Sequence, residues 1–289
     1  MTVNTIEQPS RMILARAFFT QNRLFVIGAT LLLVIVLSVL LSPWLAQHSP
    51  TQIVMSDRLS PPSSDHLMGT DRFGRDIFAR VLHGGRTSLL VGVCVVFLAL
   101  IIGGPIGLAA GYFGGKADLI MMRFSDVFLA FPPLLLPIAI TAALGPGLWN
   151  AMIALAVSWF PWYARILRAA SMTVRRELYV SAAQNMGVGH LRILIRHVVP
   201  NSLTPVIVQA SMDFGFAILA AASLSFVGLG ARAPAVEWGL MAADSRTDFL
   251  GHWWTALFPG LAIFVTVLAV NLIGDGLRDL LDPKHGGRE

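Results

Sequence analysis

Charge is what this sequence has least of. Only 13% of its 289 residues are Asp, Glu, Lys or Arg, while 55% are hydrophobic and the mean hydropathy is +0.70. A soluble domain carries about a quarter of its residues as charged side chains, and half that share cannot cover a water-facing surface. A soluble enzyme, a nucleic-acid-binding protein and a disordered chain are excluded on that ground. Cysteine is nearly absent. Cys94 is the only one, which forbids an intrachain disulfide and, with no His/Cys cluster around it, makes no metal site. The local signatures of chemistry are missing too: no G-x-x-x-x-G-K-[ST] phosphate loop, no H-E-x-x-H and no G-x-S-x-G occurs. The chain therefore lacks those devices for cradling ATP, holding a catalytic zinc or presenting a serine nucleophile. All seven histidines fall outside the cores of the apolar runs, which also argues against an intramembrane protease.

What is present is apolar sequence in long runs. A helix needs roughly 20 apolar residues to cross the hydrocarbon core, and six segments reach that length, near 24–45, 88–112, 119–144, 152–170, 203–229 and 254–273. The first follows Arg11, Arg16 and Arg23 as a signal peptide would. Its apolar core exceeds the roughly 7–15 residues of a signal sequence and no small-residue cleavage site stands out, so it reads as a retained span. With the N-terminus inside, cytoplasmic segments and helix ends hold 14 of the 21 basic residues against 9 of the 16 acids, and external segments hold 7 of each. The positive-inside rule then sets both termini in the cytoplasm. The net charge of +5 is an orientation signal and calls for no nucleic-acid partner.

The expected organisation is an all-α membrane protein. A cytoplasmic segment 1–23 and a first span 24–45 precede an external loop 46–87. A core 88–278 follows, with five spans and a cytoplasmic loop 171–202, and then a cytoplasmic tail 279–289.

That cytoplasmic loop, RRELYVSAAQNMGVGHLRILIRHVVPNS, is the most informative stretch. A helix-capable run breaks at Gly187-Val188-Gly189, and a second amphipathic run is expected to end at Pro200, which cannot continue a helix unperturbed. Two short helices around a glycine turn make a knob. The small side chains of Ser181, Ala182 and Ala183 let a partner approach the backbone, and Leu178 and Met186 supply apolar anchors on neighbouring turns. Spacing alone equally fits an ordinary interfacial helix.

The knob resembles the EAA motif of importer permeases in the ABC transporter superfamily, E-A-A-x3-G-x9-I-x-L-P. Ser181-Ala182-Ala183 fall on E-A-A, Gly187 on the glycine and Pro200 on the proline, with the spacing intact. Ser181, His197 and Val199 depart from the consensus, and Ser181 removes the acid that would pair with an ATPase. Further stretches are similar to the dipeptide/oligopeptide/nickel uptake family. DHLMGTDRFGRDIFARVLHGGRTSLLVG resembles the opening of its permease core, LIGDGLRDLLDPKHGG the ending of its second permease subunit, and ADLIMMRFSDVFLAFPPLLL and ASLSFVGLGARAPAVEWG match as well.

The resemblance implies a six-span bundle of the type I importer kind in a bacterial inner membrane. It implies a heterodimer with a second homologous permease, two ATP-binding subunits that hold ATP and Mg, and an extracytoplasmic substrate-binding protein. This chain itself would hold no cofactor and no metal, and would catalyse no reaction. Loop 171–202 would seat in the ATPase, and di- or oligopeptides would be the cargo, with nickel or a metal chelate as the alternative. The rival of a different class is an ion-coupled secondary transporter, which binds its driving ion at broken helices and often carries internal repeats. The chain has kink candidates but few buried acids and no evident repeat.

Other residues carry two readings each. Gly103, Gly107, Gly111 and Gly115 recur every four residues, a stripe for close helix packing or for gating. Pro132, Pro133 and Pro137 should kink the third span, as a fixed shape or as a hinge. Intramembrane acids are costly and therefore suspect. Asp126, one turn from Arg123, and Asp213, the deepest acid by count, can each meet a cationic group on the substrate, such as a peptide amino terminus. The alternative makes them structural partners of Arg123 or of residues on the other permease. Outside, Arg72, Arg75, Arg80 and Trp238 are candidates for docking the binding protein. The arginines also fit a surface-lying amphipathic helix, and the tryptophan fits an interfacial belt.

Overall fold

The computed structural model describes residues 22–281, so most of the N-terminal segment 1–23 and the end of the tail 279–289 lie outside the described residues. Those described are helical, with no strand beyond a lone bridge between Thr70 and Asp76. The longer helices are α1 (Arg23–Leu40), α2 (Ile77–Phe113), α3 (Gly115–Leu129), α4 (Leu135–Leu144), α5 (Leu148–Arg175), α6 (Leu178–Asn185), α7 (Thr204–Phe226), α8 (Trp238–Asp244) and α9 (Trp254–Leu281).

Four of them, α1, α2, α7 and α9, are long and apolar enough to cross a membrane. Their outward faces carry exposed Leu, Ile, Val and Phe, such as Leu33, Leu90, Leu219 and Phe264, which only a lipid or protein neighbour accommodates. The other two expected spans take different forms. Residues 119–144 are not one kinked helix. The chain leaves helical geometry between α3 and α4, at the segment holding Pro132 and Pro133, because two adjacent prolines remove two donors and clash with the preceding turn. The fourth span lies within α5, whose 28 residues reach about 42 Å, enough to cross and still project its basic end, Arg168 to Arg175.

α2 is the spine. Its 37 residues extend about 55 Å, well past a hydrocarbon core of about 30 Å. It starts eleven residues before the span read from sequence, where the Asp76 carboxylate caps it by accepting from Ala79 N at 2.7 Å. The glycine stripe sits against α5. A Cβ at Gly103, Gly107 or Gly111 would collide with the carbonyl oxygen of Phe160, Ala164 or Arg168 in turn, so two four-residue rows mesh backbone to backbone. Gly115 is not part of this stripe: it begins α3 at φ +57° with open space around it.

Three apolar cores are strung along α2. The central one joins α2, α5 and α7 through Val95, Ala99, Leu155, Leu167 and Leu224. An external core gathers Ile77, Val81, Ile218, Trp238 and Trp254. A cytoplasmic core gathers Tyr112, Val174, Val180, Ala183, Ile193 and Val198. Each end of the spine thus roots one of the extramembrane substructures.

Candidate coupling, cavity and external sites

The cytoplasmic knob is anchored from beneath. α6 presents alternate faces: Val180 and Ala183 turn into the cytoplasmic core while Ser181 and Ala182 face outward. Ala183, read from sequence as approachable by a partner, is therefore internal packing. Leu178 and Met186 flank the outer face at 86% and 76% exposure, a pair of large apolar side chains left uncovered among the described residues. Gly187 ends the helix in the left-handed region at φ +77°. There its N–H donates to Gln184 O at 3.0 Å and that of Val188 to Ala183 O at 3.1 Å, a closure that glycine makes without strain. The second run does not end at Pro200. It passes from His190–Ile193 through a π-helical turn at Leu194–Val198 into Val199–Ser202, and Val199 N–H donates to Leu194 O. Widening the turn moves the carbonyls that proline would otherwise hit. The run is tied back to the spine by Tyr112 and His190, whose hydroxyl and Nδ1 stand 2.9 Å apart.

Between α3, α5 and α7 lies a cavity of about 580 Å³, walled by Phe128, Trp159, Trp162, Ile166 and Phe216 and by the proline break. Asp213 is the one charged residue lining it, and its Oδ1 accepts from Gln209 Nε2 at 2.9 Å. The fully buried hydroxyl of Tyr163 lies beside that carboxylate. Asp126 does not pair with Arg123. Its partner is Arg165 Nη2 on α5 at 2.7 Å, because α3 and α5 run side by side and bring the two heads together. Farther toward the cytoplasm, Asp118 takes Arg168 in a two-pronged pair, Nη2 to Oδ2 at 2.6 Å. Gln209 escaped the sequence reading, although its position four residues before Asp213 is the helical spacing that brings two polar side chains together.

Outside, three of the four docking candidates are interior. Arg80 is 1% and Trp238 2% exposed, and Arg75 is buried. Arg80 Nη1 donates to Pro50 O at 3.0 Å, Arg75 Nε to Asp71 Oδ2 at 2.6 Å, and Trp238 Nε1 to Val81 O at 2.8 Å. They knit loop 46–87 to α2 and α8, and the arginines are not the row of a surface helix. Arg72 alone keeps a partly exposed head, paired with Asp244 at 3.1 Å. Glu237, unremarked in the sequence, holds the same region. Its carboxylate caps α8 by accepting from Gly239 N at 2.7 Å and Leu240 N at 2.8 Å, and also accepts from Ser88 and Ser225. An acid immediately before a short helix was the available signal. His66 Nδ1 meets Asp76 Oδ1 at 2.9 Å with His48 nearby; the other Asp76 oxygen is the α2 cap, so that carboxylate serves the loop's own structure.

A bundle with helices that cross a membrane, a rooted cytoplasmic knob and a cavity holding one acid defines a membrane permease. Residues 103–286 match the family described as binding-protein-dependent transport system inner membrane component, and residues 10–62 the N-terminal transmembrane domain of oligopeptide transport permease C. Among curated proteins, the probable D,D-dipeptide transport system permease protein DdpC of Escherichia coli K12 is 48% identical, over 92% of this chain and 89% of that one. The dipeptide transport system permease protein DppC of Alkalihalophilus pseudofirmus is 47% identical, over 91% and 87%. The glutathione transport system permease protein GsiD of Pectobacterium atrosepticum is 43% identical, over 93% and 89%. Among solved structures, an inward-facing form of the MetNI methionine ABC transporter aligns with a TM-score of 0.59, over 71% of this chain and 98% of that one at 17% identity, a likeness of fold. The chain belongs to the binding-protein-dependent transport system inner membrane component family: it is a multi-pass inner-membrane permease subunit of an ABC importer.

Proposed function

We propose that this permease carries di- or oligopeptides into the cytoplasm, as one half of a heterodimer with a second, related permease. Relatives named for dipeptide, di/tripeptide and glutathione transport support the cargo. The observation that carries the coupling half of the reading is the knob, rooted by Val180, Ala183 and Ile193 yet presenting Leu178 and Met186 uncovered. Two separate ATP-binding subunits, holding ATP and Mg, seat that face. When ATP binding closes the subunits, the knob moves with them, and its attachment to α2 and α5 transmits the displacement to the bundle. The pathway reopens toward a substrate-binding protein outside, and hydrolysis resets it. Ser181, exposed on the same face, provides a hydroxyl contact where the family acid would provide a charge.

The test is Leu178→Glu with Met186→Glu in the reconstituted importer. Charging two apolar anchors of an interface costs several kcal/mol in docking, so ATP-driven uptake falls to background while thermal unfolding of the permease is unchanged. Uptake that persists without the ATP-binding subunits, driven by a proton gradient, overturns the reading.

A further inference from the structure

We propose that the cavity between α3, α5 and α7 binds the ammonium group of the passing solute, with Asp213 as its anionic anchor and Tyr163 and Gln209 completing the site. The inference rests on the transport reading above and adds to it what the pathway recognises.

Asp213 is an acid with no cation among the described residues. Asp213 stands ten residues into a membrane-spanning helix of 23, in a wall otherwise built of Phe, Trp, Leu, Ile, Pro, one Ser and one Gln. A carboxylate at that depth is costly unless a positive group accompanies it. The other acid considered for the pathway has its cation inside the chain, Asp126 with Arg165. Asp213 has none: among the described residues no Lys, Arg or His forms an ion pair with it. Its intrachain partner is the neutral Gln209 amide.

The second observation is the hydroxyl of Tyr163, fully buried beside Asp213. Buried hydroxyls are nearly always paired, and a phenol O–H beside a carboxylate holds that acid in place without cancelling its charge. A primary ammonium has three N–H donors and no acceptor. From the cavity it can donate to the Asp213 carboxylate, which Gln209 holds in place with the Tyr163 hydroxyl beside it. The third observation is the wall. Trp159 and Phe216 stack at 5.3 Å between centroids, with planes 19° apart, and both line the cavity. Aromatic faces attract a cation and also receive an apolar side chain. The volume of about 580 Å³ lies within the range of small-molecule sites, about 300–1,000 Å³. An amine with an apolar or aromatic substituent, such as the first residue of a short peptide, satisfies every group in the site. An acylated amine does not.

The experiment uses the complete importer with its binding protein in proteoliposomes, with radiolabelled Ala-Phe as the probe. It compares wild type, Asp213→Asn, Asp213→Glu and Tyr163→Phe. Removing a charge-assisted hydrogen bond reduces affinity about tenfold or more. Asp213→Asn is therefore expected to cut ATP-driven uptake about tenfold at low substrate, Asp213→Glu to keep most of it, and Tyr163→Phe to fall between. Copurification of the second permease is expected to stay at wild-type levels throughout. Wild-type uptake in Asp213→Asn overturns the ammonium site. Loss of the second permease from the Asp213→Asn complex also overturns it, assigning the carboxylate to a cation on that subunit. Failure of the wild-type importer to move Ala-Phe at all is a different result, and it strikes the peptide reading itself.

Discussion

Two glycines three residues apart separate spacing from packing. A Cβ at Gly107 would run into the Ala164 carbonyl, whereas at Gly104 it would find only the Leu167 and Leu100 side chains at 3.5 and 3.7 Å. Gly107→Val should destabilise the permease by about 3 kcal/mol or more, since overpacking against rigid backbone has no relief. Gly104→Ala should be neutral or stabilising by up to about 1 kcal/mol through helix propensity. Thermal unfolding in detergent distinguishes the two. Glu237 is the other residue whose worth only packing reveals. Glu237→Ala leaves two backbone N–H groups and two serine hydroxyls without their acceptor. It should cost about 2–4 kcal/mol and loosen α8, read as faster proteolysis of the external loop. The four-residue recurrence of glycine was legible in the sequence. Which members meet a neighbour was not, because Gly115 keeps the period but sits beyond the end of α2.

Elements behave as the periodic pattern dictates until two of them compete. The knob was legible as helix, glycine turn and second amphipathic run, since those depend on local propensity. Its polarity was only half legible. α6 has apolar residues on both faces, and Val180 rather than Leu178 is the one inside, a choice made by where Tyr112 and Val174 stand. Val180→Glu should therefore unfold the knob and lower the melting temperature of the isolated permease, in contrast to Leu178→Glu, which leaves it unchanged; paired melting curves check this. The third span shows the opposite limit. Its prolines were visible, but whether two adjacent prolines bend a helix or divide it depends on what fills the gap, and here the break forms part of the cavity wall.

At the scale of the whole molecule, the described surface remains heavily apolar on α1, α2, α7 and α9, and lipid cannot explain a cavity that holds an acid. The proposed heterodimer predicts a stoichiometry: native mass spectrometry of the purified importer should show one copy of this chain, one of a different permease and two ATP-binding subunits. A complex with two copies of this chain would refute it.

By itself the sequence determined that the chain lies in a membrane and where its two polar substructures occur. These follow from hydropathy, charge and helical period, each a sum over neighbouring residues. Tertiary structure alone decided the partners of individual charges: Asp126 with Arg165 rather than Arg123, Arg75 and Arg80 turned inward, and Asp213 without a cation among the described residues. The reason is range. An ion pair is decided at a few ångströms between helices tens of residues apart, and no local pattern encodes that meeting. The scarcity of charge makes these meetings decisive, since few groups are available to answer an acid that the fold leaves unpaired.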